Sequence, residues 1–323
     1  MIRPDRQDPT SGDGVSEPAS AASRRASDIA AGDWVDRWAP ARLRPYLRLS
    51  RIDRPIGIWL LMFPCWWSTA LASNDWPDPS LLLLFALGAT LMRGAGCTVN
   101  DIFDRDFDAQ VARPATRPIP SGAVSVRQAM TFAAALCLAG LIVLLQFNTF
   151  TIAVGASSLL LVALYPFAKR VTDWPQAVLG LTFNWGALVG WAAVRGDLGW
   201  PAMVLYAAGI AWTLGYDTIY AHQDKEDDLI VGVRSTALKL GDATRQWLCG
   251  FYAAALALLA TAGHLAGLSW PFWPALAAVG AHFAWQIVRL DLDDPKRCLA
   301  LFKSNAQAGL LIFLAIALGR VAA

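Results

Sequence analysis

The chain has 323 residues, of which 56% are hydrophobic, only 16% are charged and 15 are tryptophan; its mean hydropathy is +0.41. That balance excludes a soluble globule and indicates a polytopic membrane protein. The formal net charge of +2 decides little, because in such a protein the distribution of charge matters more than its sum. Five cysteines (Cys65, Cys97, Cys137, Cys249 and Cys298) without CxxC spacing read as unpaired thiols. The three histidines are scattered, so no zinc site is suggested. No nucleic-acid partner is expected.

Residues 1–40 are rich in Ser, Ala, Asp and Arg and contain no apolar run, so a disordered cytoplasmic tail is predicted there. Asp5, Asp8, Asp13, Glu17, Asp28 and Asp33 set this stretch apart from the acid-poor composition of a mitochondrial transit peptide. The expected location is therefore a bacterial inner membrane, with a mitochondrial inner membrane as the alternative. From Leu43 to Arg51 apolar and basic residues alternate, which suits either a segment lying at headgroup level or a plain basic anchor.

From there on, nine segments are long and apolar enough to cross a bilayer: 56–73, 80–101, 127–147, 150–168, 175–194, 200–221, 246–267, 271–290 and 305–322. Nearly all Lys and Arg fall in the tail and in alternate loops, near 102–126, 169–174, 222–245 and 291–304. The other loops hold only Arg195. The positive-inside rule places the N-terminus in the cytoplasm and the C-terminus outside. The predicted fold is all-α, a polytopic bundle of nine transmembrane helices in the lipid bilayer, occupying 41–323.

Two acidic clusters lie at cytoplasmic ends of apolar segments. In the first, Asn100, Asp104 and Asp108 recur at i, i+4 and i+8 and form one helical stripe, with Asp101 beside it. In the second, Asp217, Asp224 and Asp228 share a face with Tyr220 between them. Rows of like charge destabilise a bare helix, and a hard cation relieves that repulsion. Mg²⁺ prefers oxygen ligands and commonly bridges one or two carboxylates to a phosphate group. Arg113, Arg117, Lys169, Arg170 and Lys225 rim the same side and suit the phosphate oxygens left over. Arg54 stands at the entrance to the first segment. Arg93 lies about two turns inside the second, a depth at which a charge is a functional hypothesis by default: an Asp partner or an anionic substrate.

The strings Asn-Asp-x-x-Asp-x-x-x-Asp at 100–108 and Asp-x-x-Tyr-Ala-x-x-Asp-x-x-x-Asp at 217–228 resemble the UbiA superfamily of intramembrane prenyltransferases. Arg93–Asp101, Arg117–Gly122, Arg51–Gly57, Tyr165–Arg170 and Pro175–Gly180 resemble in particular its members that act on 4-hydroxybenzoate. The likeness runs from about residue 45 to the C-terminus. It departs at Arg113-Pro114, where the family reads Arg-Thr. The resemblance implies a helical bundle around a central cavity open to the cytoplasm, with a lateral tunnel for a prenyl tail. It implies Mg²⁺ held by Asn100, Asp104, Asp108, Asp224 and Asp228, with Asp101 counted among the candidate ligands, and it sets Asp217 and Tyr220 near an aromatic acceptor. The expected reaction joins a polyprenyl group from polyprenyl diphosphate to 4-hydroxybenzoate. Other aromatic acceptors and, from a different class, a cation-coupled transporter are the alternatives.

Overall fold

The computed structural model describes residues 32–108, 117–225 and 234–322; within these, the side chains of 104–108, 165–170 and 224 are not described. Among the described residues all regular structure is helical. A short α1 (Trp34–Trp38) and α2 (Arg44–Leu49) precede α3 (Ile56–Ala72), α4 (Pro79–Asp108), α5 (Val126–Leu144) and α6 (Thr149–Val171). Then come α7 (Pro175–Phe183), α8 (Gly186–Arg195), α9 (Trp200–Ala221), α10 (Thr236–Leu240), α11 (Thr244–Leu265), α12 (Phe272–Arg289), α13 (Pro295–Lys303) and α14 (Asn305–Val321).

The boundaries follow from local chemistry. A capping box between Ser125 and Gln128 opens α5, and Asp294 accepts from Lys296 and Arg297 N–H to open α13. Prolines occupy the first turns of α7, α9 and α13, where a missing N–H costs nothing. Gly196, with φ of 73°, ends α8 in the left-handed conformation that an unbranched backbone adopts freely.

Each predicted apolar segment is helical, but the fifth is two helices rather than one. The chain breaks at Asn184-Trp185, between α7 and α8. Asn184 is buried in the middle of an apolar run, and its Nδ2 donates to Gly180 O (2.9 Å) and Thr213 Oγ1 (2.8 Å). Five stretches are long and apolar enough to cross a membrane by length and composition, from Pro79–Phe103 to Pro295–Val321. The last residues of the predicted tail are ordered: Asp33 caps Trp34–Trp38, and Asp36 pairs with Arg48 at 2.6 Å. Residues 1–31 lie outside the described residues.

The helices close on themselves. α3 packs against α4, α8 and α14; α14 against α12; α12 against α11; α11 against α9; and α9 against α7. The aromatic core between them holds Trp67, Trp212, Tyr216, Tyr252, Phe63, Phe272 and Phe283, all essentially inaccessible. The polar tips among these find partners: Trp67 Nε1 donates to Gly309 O (2.8 Å) and Trp212 Nε1 to Asn305 Oδ1 (2.9 Å). Outward faces carry exposed Leu83, Leu138, Leu160 and Val288, with Trp200 and Trp270 exposed at helix starts. Such an apolar exterior is stable against lipid rather than water.

Polar contacts sort the connections into two ends. At one, Arg195 donates to Asn74 (3.0 Å), and Arg320 donates to Leu71 O and Ala266 O. At the other, Arg51 meets Asp101, Lys239 meets Asp173, and Arg245 donates to Leu290 O. This is the alternation that the charge pattern predicts.

Candidate active site

Helix α4 runs unbroken for 30 residues, about 45 Å, so its last turns stand beyond the ~30 Å apolar thickness of a bilayer. It stays helical through Asp108, so Asn100, Asp104 and Asp108 do share one helical face, as the spacing predicts. Asp104 and Asp108 are placed through their backbone; their side chains lie outside the described ones. At the end of α9, Asp217 and Tyr220 are half-buried and each is engaged by a neighbour. The Tyr220 ring packs on Phe302, with centroids 4.4 Å apart. Asp224 closes a short 3₁₀ turn, His222–Asp224, and Lys225 follows half-buried. Asp228 and Arg113 lie outside the described residues. Lys169 and Arg170 are placed only as part of the last turn of α6.

The structure places Asp101, a candidate metal ligand, in an ion-pair cluster. Its side chain is 3% exposed and already compensated, with Arg51 Nη2 at 2.8 Å and Arg117 Nη1 at 3.8 Å from Oδ1. At about 100° per residue Asp101 sits at the edge of the stripe, next to the azimuth of Asp108, and its carboxylate is turned to the two arginines. Arg117, expected to hold phosphate, is in part committed to this pair. Arg51 also lies within electrostatic reach of Cys97 on α4 and Tyr220 on α9.

Beneath them, Arg93 is half-buried. Its guanidinium lies over the Phe183 ring, 5.4 Å from the centroid, a favourable cation–π placement. Its Nε is buried and makes no hydrogen bond among the described residues. Gly57 at the start of α3 leaves it room: a Cβ there would sit 2.5 Å from Arg93 Nε. An orphaned donor in an apolar wall costs free energy unless a ligand fills it. Arg54, three residues before Gly57, has its Nε 4.0 Å from Asp53 Oδ1. Burial pushes the Asp53 carboxyl above the usual range, against the pull of Arg54 and Arg51.

The donor set suits a hard divalent cation. Asn100, Asp104 and Asp108 offer only oxygen on one helical face, and the carboxylate that would have crowded them, Asp101, is neutralised elsewhere. Arg51 and Gly57 stand in a motif legible in the sequence but without a role assigned to either, and Phe183 and Phe302 carry no such signal. A positively charged residue following Ser50 in a helix-ending turn was the available signal for Arg51.

The model of the UbiA prenyltransferase family matches residues 61–317. The chain is 52% identical over 309 residues to the mitochondrial 4-hydroxybenzoate polyprenyltransferase of Rattus norvegicus, covering 94% of this chain and 82% of that one. A UbiA homolog from Aeropyrum pernix K1 superposes with a TM-score of 0.67 at 25% identity, over 80% of this chain and 96% of its own. A UbiA homolog from Archaeoglobus fulgidus, bound to DMAPP and Mg²⁺, has the same fold at a TM-score of 0.61 and 17% identity, over 86% and 99%. The expectation of a bacterial inner membrane is overturned by these relatives. The enzymes of rat, Aedes aegypti and Arabidopsis thaliana, 50–52% identical, are all mitochondrial. Acidic residues in a leading segment were therefore a poor guide to location. The matched stretch runs from the first long helix into the last, and more than half of the aligned residues are shared with the rat enzyme, so this chain belongs to the UbiA prenyltransferase family.

Proposed function

We propose that the protein transfers a polyprenyl group from polyprenyl diphosphate to the ring of 4-hydroxybenzoate, ortho to the hydroxyl, as a step towards ubiquinone. The observation that carries this reading is the buried, unpartnered Nε of Arg93 beneath the converging ends of α4 and α9. A guanidinium with a vacant donor suits a carboxylate, which favours an aromatic acid over a neutral acceptor. Supporting it are the close relatives that bear this activity in their names.

Asn100, Asp104 and Asp108 on α4 and Asp224 and Asp228 after α9 are the groups that would hold Mg²⁺, which when bound neutralises the diphosphate and improves it as a leaving group. Arg113, Lys169, Arg170 and Lys225 take the remaining phosphate oxygens, with a share from Arg117. Arg93, assisted by Arg54, holds the acceptor carboxylate. Asp217, with Tyr220 one turn on, orients the acceptor hydroxyl and receives the proton that the ring loses on substitution. Apolar helix faces keep water from the allylic cation once the diphosphate departs, and the Phe183 and Phe302 rings line its surroundings.

The bundle comprises nine membrane-crossing segments around a cavity, the α7–α8 pair counting as one, behind a leading tail of about 40 residues. Its charged end faces the compartment retained by the positive-inside rule, the matrix in a mitochondrial inner membrane. The test is transfer by purified protein in lipid with Mg²⁺ and a panel of aromatic acids, the product identified by mass. Prenylated 4-hydroxybenzoate as the main product is expected; its absence, or preference for an acceptor without a carboxylate, rejects the reading.

A further inference from the structure

Arg51 occupies a position where the backbone calls for glycine. Helix α2 ends in paired hydrogen bonds, Ile52 N–H to Leu47 O (3.2 Å) and Arg51 N–H to Arg48 O (3.2 Å). This is the Schellman arrangement, whose first residue past the cap is left-handed and usually Gly. Arg51 has φ of 58°, and among the described residues no other non-glycine has positive φ. A side chain with a Cβ costs about 1 kcal/mol or more in that region. The cost points to something the side chain does that glycine cannot.

What it does is reach Asp101, fifty positions along the chain, and ion-pair at 2.8 Å in a nearly closed setting. Arg117 approaches the same oxygen from beyond the cluster. Asp101 lies between Asn100 and Asp104 in sequence and at the edge of their stripe, about 20° round the helix from Asp108. Gripping it from two sides fixes the rotation of the α4 end, and so the aim of the stripe. Arg51 extends the effect to α9, since Tyr220 lies within its electrostatic reach.

We propose that Arg51 is a positioning residue: through Asp101 and with Arg117 it sets the rotation of the α4 terminus, so that Asn100, Asp104 and Asp108 meet a divalent cation facing the α9 cluster. The proposal rests on the metal-site reading above and adds a residue that touches neither metal nor substrate. The left-handed turn makes the grip rigid, because the turn geometry holds the arginine's Cα while the ion pair holds its tip.

The test uses the full chain in detergent with Mn²⁺ as the probe, its affinity read by electron paramagnetic resonance, alongside prenyl transfer and thermal unfolding. Wild type that neither binds Mn²⁺ nor transfers sinks the metal-site reading itself. Given wild-type binding, Arg51→Gln and Asp101→Asn should each weaken Mn²⁺ roughly 10- to 100-fold, the usual cost of losing a group that orients metal ligands. KM for 4-hydroxybenzoate should stay near wild type while kcat falls, and Arg51→Lys should recover part of the loss. If Asp101 were itself a ligand, freeing it in Arg51→Gln would instead tighten Mn²⁺ binding. Tightened or unchanged affinity in that variant overturns the proposal. Should Arg51→Gln unfold because Asp101 is left buried and uncompensated, Arg51→Gln/Asp101→Asn removes both charges. Weakened Mn²⁺ binding by that folded double variant supports the proposal, and wild-type affinity overturns it.

Discussion

The two ends of the bundle use polar groups in opposite ways. At one end, Arg320 spends its guanidinium on two backbone carbonyls, Leu71 O at 2.5 Å and Ala266 O at 3.0 Å, and Ser269 Oγ donates to Gly319 O. These contacts staple the ends of α3, α11 and α14 with no acid involved. At the other end, charge meets charge, as at Asp101, and Arg93 Nε and His222 Nδ1 are buried without a hydrogen bond among the described residues, as Arg320 Nε is at the first end. Unfilled polar capacity beside compensated acids is what a charged substrate requires.

The comparison breaks most sharply at the acids. Asp104→Ala or Asp224→Ala should cost several kcal/mol of transition-state stabilisation, roughly a 10³-fold fall in kcat. Transfer assays in membranes check this; near-normal turnover in both would falsify the metal-site reading. The next largest effect is on pH stability. Burial, with Lys225 adding to it, pulls His222 down to about 4, so the folded state holds it neutral. Its stabilising share is complete above the unfolded value of about 6.5 and is lost as pH falls through about 4. The loss amounts to about 3 kcal/mol. Thermal unfolding between about pH 7 and pH 4.5 should therefore show a steeper drop in wild type than in His222→Gln; parallel curves reject the assignment.

Arg93→Met should raise KM for 4-hydroxybenzoate about tenfold or more, the worth of a charge-assisted hydrogen bond, and leave KM for polyprenyl diphosphate unchanged. Equal losses for both substrates would put Arg93 on the diphosphate instead. At the quiet end, Arg320→Met strands two carbonyls and should cost about 1–3 kcal/mol in stability with kcat intact. A drop in kcat matching the acid variants would dissolve the contrast between the ends.

Helix positions were legible because each apolar run declares its own span: 56–73 was predicted against Ile56–Ala72, and 200–221 against Trp200–Ala221. The break at Asn184 was not, because its hydrogen bond to Thr213 comes from a helix 29 residues away. The loops predicted at 222–245 and 291–304 contain α10 and α13, short helices that each bury part of their surface. Periodicity placed Asn100, Asp104 and Asp108 on one face, and the end of α4 confirms their helical register. It could not separate Asp101 from them by role, since that depends on Arg51 and Arg117, 50 and 16 positions off in the chain. Nor does an arginine in the sequence announce a left-handed backbone.

The bare α-carbon at position 57 bears on how acceptor choice could drift. Because a methyl there would press on Arg93 Nε, and because a long guanidinium can swing aside cheaply, Gly57→Ala should leave folding intact while displacing the group proposed to recognise the acid. A single hydrogen-for-methyl exchange on a neighbouring helix, outside both acidic clusters, is thus a short evolutionary route from an enzyme that demands a benzoic acid to one that accepts a plain phenol.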